Sequence, residues 1–122
     1  MLKKTVLRRK SDFASIYKEG KSVGERYVVL IVKKNDLPYN RSAFLASKKI
    51  GNSVERNRAK RLMKESHRQI KERLAGGYDM IFVARKTIRD QKMEDVSKSM
   101  EAAVKKLGLF TRIKQKDEQV IH

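Results

Sequence analysis

Apolar positions along the chain change period several times, and each change marks an element. Phe13, Ile16 and Tyr17 recur at i, i+3, i+4 spacing, which sets one face of a short helix. Ser11 is the expected N-cap, Asp12 puts a negative charge in the first turn, and Gly20 ends the helix. Residues 27–32 (Tyr27-Val28-Val29-Leu30-Ile31-Val32) are β-branched and aromatic, so they read as a strand. Both alternating faces of this run are apolar, which predicts cover on both sides of its sheet. Asn35-Asp36-Leu37-Pro38-Tyr39-Asn40 is a turn-forming cluster, and a second strand is expected over residues 42–47. The short connection predicts an antiparallel hairpin.

A basic loop, Lys48-Lys49-Ile50-Gly51-Asn52, leads into a long helix expected over residues 53–75. Asn52 with Glu55 three residues later fits a capping box, with Ser53 as the alternative cap, and Gly76-Gly77 closes the segment. A third strand is predicted over residues 78–84. Met93, Val96, Met100, Ala103, Val104 and Leu107 then mark one side of a last helix, stopped by Gly108. The first ten residues read as a basic arm or extended lead-in, and residues 111–122 as a flexible polar tail. The order is α-β-β-α-β-α, a single-domain α+β two-layer sandwich spanning residues 1–122.

Charge changes the picture. Against 14 acidic residues stand 31 Lys and Arg, a formal net charge of +17 on 122 residues. Such an excess destabilises a compact chain by self-repulsion, and its ordinary cause is a polyanionic partner, most often nucleic acid. A membrane is the rival, but the longest strongly apolar run has six residues, against roughly 20 for a spanning helix. Basic residues open the chain without the apolar segment of a signal peptide behind them, so a cytoplasmic protein with no membrane partner is expected. The absence of cysteine excludes disulfides, thiolate catalysis and Cys-ligated zinc.

The long helix concentrates this charge. Projected at 100° per residue, Ala59, Leu62, Met63, Ser66, Ile70 and Leu74 gather on one side. Lys60, Arg61, Lys64, Arg68 and Lys71 gather roughly opposite with Asn57, while Arg56 and Arg58 flank them. Residues 54–75 hold eight basic and three acidic side chains. A merely solvated face mixes signs at i, i+4 spacing, whereas like charges so spaced repel. Positive charge near a helix N-terminus also opposes the macrodipole. The cluster is unfavourable alone and favourable against phosphates, and the free backbone N–H groups after Gly51-Asn52 are expected to accept one as well.

The segment Ser47-Lys48-Lys49-Ile50-Gly51-Asn52-Ser53-Val54-Glu55-Arg56-Asn57-Arg58-Ala59-Lys60-Arg61 resembles the signature of the bacterial ribonuclease P protein family, centred on its Arg-Asn-Arg element. The resemblance extends over about residues 7–107, taking in Asp12-Phe13, Gly20, Ser22-Val23, Arg26, and Tyr78-Asp79 through Arg85. It implies a small mixed sheet with a left-handed β-α-β crossover through the long helix, against the usual handedness. It also implies that a catalytic RNA subunit, using its own Mg2+, hydrolyses the phosphodiester and removes the 5′ leader of precursor tRNA. The protein then contributes no catalytic residue and binds no cofactor or metal of its own, acting as a monomer within the particle.

On this resemblance, Lys48, Lys49, Asn52, Arg56, Asn57, Arg58, Lys60, Arg61, Lys64 and Arg68 bind the RNA. The arginines offer planar forks and the lysines point charges; Asn57 either bonds RNA, caps the loop or is simply an exposed polar residue. Phe13 and Tyr17, over a floor of Val29 and Ile31, line the leader cleft, where aromatic faces stack on unpaired bases at about 1–3 kcal/mol each. From spacing alone Phe13 and Tyr17 read as core. Some members carry an aromatic where this chain has Ile31, which implies a smaller stacking platform.

Rival functions have less support. A protein nuclease needs converging acid–base groups, yet His67 and His122 are the only histidines and Asp79 and Asp90 stand apart. A ribosomal or other structural RNA-binding protein shares charge, size and architecture; the match over residues 48–61 separates the two, with the Phe13/Tyr17 pair as secondary support. A helix-turn-helix DNA binder lacks a partner helix at turn distance.

Overall fold

The computed structural model describes residues 4–111. Its elements are α1 (Lys10–Glu19), β1 (Lys21–Gly24), β2 (Val28–Lys34), β3 (Arg41–Leu45), α2 (Ser53–Ile70), β4 (Tyr78–Ala84) and α3 (Met93–Lys106). Short 3-10 turns occupy Lys48–Ile50, Lys71–Arg73 and Lys86–Ile88. The sheet runs β1-β2-β4-β3, with β3 and β4 parallel and the other pairs antiparallel. This is the expected α+β sandwich with a small mixed sheet, and α2 is the crossover that joins its parallel pair.

The predicted hairpin between β2 and β3 does not form, because β4 lies between them. Met80, Ile81 and Phe82 are almost wholly buried, and a strand apolar on both faces belongs at the centre of a sheet. The turn cluster supplies the steering. Asn35 N–H donates to Gly77 O (2.9 Å), Asn40 Nδ2 to Ala75 O (2.9 Å), and Asn40 Oδ1 accepts Tyr78 N–H (2.8 Å). These bonds hold the start of β4 against the loop that was expected to close the hairpin. The hairpin that does form joins β2 to β1, a strand that Lys21-Ser22-Val23-Gly24 does not announce by composition.

Other boundaries move for local reasons. Helix α1 starts at Lys10 with Arg9 in the cap position and no side-chain cap, so Ser11 is not the N-cap. The second strand ends at Leu45, and Ser47 caps the 3-10 turn after it by accepting Lys49 N–H. The long helix stops at Ile70 and tightens into a 3-10 turn before Leu74 turns extended, five residues short of the predicted end. The last helix and third predicted strand lie where expected. Residues 5–7 form an extended lead-in: Ser42 N–H donates to Thr5 O (2.8 Å), and Leu7 N–H to Ser42 O (3.0 Å). They cover the free edge of β3, with Leu7 buried. Residues 1–3 of the expected arm and 112–122 of the expected tail lie outside the described residues.

Strand alternation divides the interior in two. Val28, Leu30, Val32, Met80, Phe82 and Ala84 face α2 and α3, where Ala59, Met63, Ile70, Val96, Met100 and Val104 complete the main core. The opposite face carries a smaller cluster, in which Ile16 of α1 packs with Leu7, Ala43 and Ile81. Both faces of β2 are thus covered, as its sequence predicts, but the second only in part. No helix among the described residues is long and apolar enough to cross a membrane.

Gly20 is where α1 meets the sheet. It caps the helix by donating to Ile16 O (2.8 Å), and a Cβ there would stand 2.5 Å from Ile16 O and 2.8 Å from Val32 O. Both obstacles are backbone and cannot swing aside. Gly20→Ala is therefore expected to destabilise the fold by about 1–3 kcal/mol, the usual cost of overpacking. The urea midpoint of the purified variant measures this, and an unchanged midpoint would show that α1 is free to lift off the sheet.

Candidate nucleic-acid interface

The basic helix is aimed by the loop before it. Gly51 takes φ +144°, and a Cβ there would lie 2.2 Å from Glu55 Oε1, so glycine lets Glu55 fold back over the turn. Asn52 Oδ1 accepts Glu55 N–H and Glu55 Oε1 accepts Asn52 N–H, both at 2.9 Å, completing the predicted capping box. The bond from Asn52 N–H, with Arg89 2.6 Å from the other oxygen, holds the Glu55 carboxyl below the usual range. The cap engages the N–H groups of Asn52 and Glu55, while those of Ser53 and Val54, where a phosphate is expected, have no hydrogen-bond partner among the described residues.

Beyond the cap, α2 buries Ala59, Met63, Ser66 and Ile70, with Leu62 half-buried against the core. Ser66 satisfies its hydroxyl within the helix by donating to Leu62 O (2.8 Å). The opposite side holds the predicted basic residues, which divide into two kinds. Arg56 and Arg58 are half-buried: Arg56 Nη2 donates to Ser53 Oγ (3.2 Å), and Arg58 Nη2 to Gln91 O (2.7 Å) in the segment before α3. Arg68 pairs with Glu65, which raises the guanidinium pKa.

The other kind is unpaired. Lys48, Lys49, Lys60, Arg61 and Lys64 have no ion pair or side-chain hydrogen bond among the described residues, and Asn57 is likewise unengaged and exposed. All but the half-buried Lys60 are exposed. Val54, 73% exposed, stands at the head of the same face. Beside the stripe a shallow cleft of about 530 Å³ has Leu62 and Met93 as its apolar lining, with Arg58, Arg61, Lys64 and the acidic Glu65 around them. Periodicity assigns Met93 to the core side of α3, so its place here was not foreseen.

The second predicted site lies on the other face of the sheet. Phe13 is half-buried and Tyr17 is 52% exposed, with ring centroids 6.5 Å apart. Ile16, between them in sequence, is the core residue of this helix. Below α1, strand register sets two cross-strand rows: Ser22-Ile31-Ile81-Ala43 and Gly24-Val29-Val83-Leu45. The first row runs beneath α1; in the second, Val29, Val83 and Leu45 are only half-buried and form an apolar floor. Val29 and Ile31 are where the sequence places them. Leu45 and Val83 were missed, although strand alternation puts both on the face of Val29 once the register is known.

The candidate acid–base residues are held structurally. Asp79, 5% exposed, accepts Arg41 Nε at 2.8 Å, Arg41 Nη2 at 2.6 Å and Asn35 Nδ2 at 2.9 Å. His67 is half-buried between Phe44 (5.3 Å between centroids) and Phe82 (5.7 Å), with Nε2 3.4 Å from Ser42 Oγ. Burial, and secondarily Lys71, pushes its pKa down to about 4, so the ring is neutral near pH 7. Asp90 is exposed in a turn with φ 63°. His122 lies outside the described residues.

A protein-family model described as Ribonuclease P matches residues 1–108. The ribonuclease P protein component of Clostridioides difficile (strain 630) is 41% identical over 104 residues, covering 84% of this chain and 91% of that protein. That of Caldanaerobacter subterraneus subsp. tengcongensis is 41% identical over 108 residues, covering 88% and 93%. Among solved structures, the Staphylococcus aureus RNase P protein superposes with a TM-score of 0.81 at 31% identity, covering 89% of this chain and all of that one. The Thermotoga maritima RNase P protein gives 0.72 at 30% identity, covering 79% and 91%. A match of this length includes the cationic loop and helix, the strands of the apolar floor and the helix that overhangs them, and the chain belongs to the ribonuclease P protein component family.

Proposed function

We propose that α2 and the turn before it dock on the catalytic RNA of ribonuclease P, while the cleft beneath α1 takes the single-stranded 5′ leader of precursor tRNA. Family membership makes the chain the protein component of a tRNA-processing endoribonuclease. One observation carries the docking assignment: Lys48, Lys49, Arg61 and Lys64 are exposed and lack intramolecular counter-charges among the described residues. Phosphates are the counter-charge that fits, since they convert a repulsive surface into a binding one.

The two half-buried arginines have a different part in this reading. Arg58 ties α2 to the segment before α3, so it positions the stripe as well as offering its remaining donors. Asn52 shapes the turn through its cap and has its amide NH₂ left for RNA. In the cleft, Tyr17 has the exposed ring a base requires, Phe13 braces it, and Val29, Ile31, Val83 and Leu45 supply a floor without base-specific donors. Such a surface suits leaders of varied sequence.

Hydrolysis is assigned to the RNA subunit and its magnesium ions. In support, Asp79 is committed to Arg41 on the α1 side of the sheet and His67 packs between Phe44 and Phe82 on the other, so the two do not converge as an acid–base pair. The reading is of one protein copy beside the RNA, in the cytoplasm.

Arg61→Ala combined with Lys64→Ala should weaken binding to ribonuclease P RNA and lower the log–log salt slope by about two, one per lost phosphate contact. Both side chains are exposed, so the unfolding midpoint should not fall. An unchanged slope would remove the stripe from the interface. For the cleft, Tyr17→Ala should weaken binding of leader-bearing precursor by about 5- to 150-fold, from about 1–3 kcal/mol of stacking, and leave mature tRNA unaffected. Equal losses for both RNAs would contradict the leader assignment.

A further inference from the structure

A third concavity belongs to neither site. It lies where α2 passes the covered edge of β3, with a volume of about 500 Å³, within the roughly 300–1,000 Å³ of ordinary ligand clefts. Phe44 and Ser42 of β3 line it together with His67 of α2, and the lead-in residues Thr5 and Val6 form the opposite wall. Strand alternation turns Phe44 away from the α1 side, where Ala43 and Leu45 point. The leader cleft and this groove are therefore on opposite faces of the sheet.

Its chemistry is aromatic below and cationic above. Phe44 is half-buried, stacked on Phe82 at 5.4 Å and 9°, with the His67 ring edge-on. Val6 is 42% exposed, one of three large apolar residues so exposed among the described residues. Lys64, Arg68 and Lys71 stand on the rim, and among the described residues only Arg68 of these three has an ion pair. At one end Lys4 Nζ lies 4.7 Å from the centre of the Tyr39 ring, adding a fourth cation, with Glu72 the one acidic lining residue. Rings beside unpaired cations are the two components by which proteins hold an unpaired nucleotide. Lys64 and Arg68 also belong to the α2 stripe, so an RNA lying there already reaches the mouth of the groove.

We infer that the groove between α2 and β3 is a pocket for one unpaired ribonucleotide, its base against Phe44, His67 and Val6 and its phosphate at Lys64 and Lys71. The inference rests on the RNA-docking assignment of α2 and adds a single-strand subsite to it. A paired helix on the stripe places phosphates on the rim but leaves the apolar lining empty; a bulged or terminal nucleotide fills both. Because the occupant is one nucleotide, the pocket selects for an unpaired residue at a fixed offset from the duplex along α2.

The test uses the full chain and three probes: a single-stranded uridine hexanucleotide, a blunt-ended, fully paired RNA duplex of two strands and inorganic phosphate. Side-chain resonances of Phe44, His67 and Val6 should shift with the hexanucleotide and stay in place with the duplex, while those of Arg61 move with both. Lys71→Glu should reduce hexanucleotide affinity about tenfold, whereas Lys105→Glu, an equal charge change on the exposed side of α3, should cost much less. Equal losses for the two variants would reduce the groove to diffuse attraction and overturn the inference. So would phosphate alone reproducing the rim shifts while the hexanucleotide leaves Phe44 unmoved. Shifts at Arg61 without shifts at Phe44 would sink the pocket and spare the docking assignment; silence at both, with no binding of ribonuclease P RNA, would sink the docking assignment itself.

Discussion

Electrostatic repulsion along α2 is the constraint to which the rest of the molecule answers. Exposed pairs of opposite charge contribute little, but exposed like charges crowded on one helix face cost stability and need a compensating partner. The chain compensates only the margins of its stripe: Glu65 takes Arg68, and Glu55 is drawn into the cap and toward Arg89. Arg61, Lys64, Lys48 and Lys49 are left facing solvent. Glu65 stands at i, i+4 spacing from Arg61 but pairs with Arg68, so Arg61 and Lys64 keep no carboxylate partner among the described residues, in agreement with a phosphate surface supplying the missing charge.

The sheet makes this tolerable by anchoring the other side of the same helix. Met63, Ala59 and Ile70 of α2 are buried against β4 and α3, so the hydrophobic effect holds in place what charge alone would push apart. The central place of β4 has a second consequence. With β2 and β3 as its neighbours, its odd-numbered residues and theirs align into the Val29-Val83-Leu45 row, an apolar floor that α1 only half covers. One topological fact thus fixes a cationic face on one side of the sheet and an apolar trough on the other. On the proposed reading the two surfaces hold two different RNA segments at once.

Much of this was legible in the sequence, and the failures have a common physical cause. Signals confined to a few neighbouring residues were read correctly: the Asn52/Glu55 cap, the basic and apolar sides of α2, the strand over residues 78–84, and the face of α3. Whatever depended on distant partners was not. The hairpin between β2 and β3 was inferred from loop length, while Asn35 and Asn40 bond to residues 75–78 and admit β4 between the strands. Strand β1 is polar and short, and pairing with β2 alone makes it a strand. Leu45 and Val83 became visible as cleft residues only with the register. The Ser11 cap is the local exception, since α1 already begins at Lys10 with Arg9 in the cap position and no side-chain cap.

The balance between self-repulsion and RNA attraction is best measured by following the unfolding midpoint of the protein across a series of salt concentrations, free and bound to ribonuclease P RNA. Screening should raise the midpoint of the free chain by weakening repulsion within the stripe, and should lower that of the complex by weakening phosphate contacts. Opposite slopes are the predicted result. A free chain that loses stability as salt is added, or an RNA that leaves the midpoint unchanged at low salt, would contradict the account.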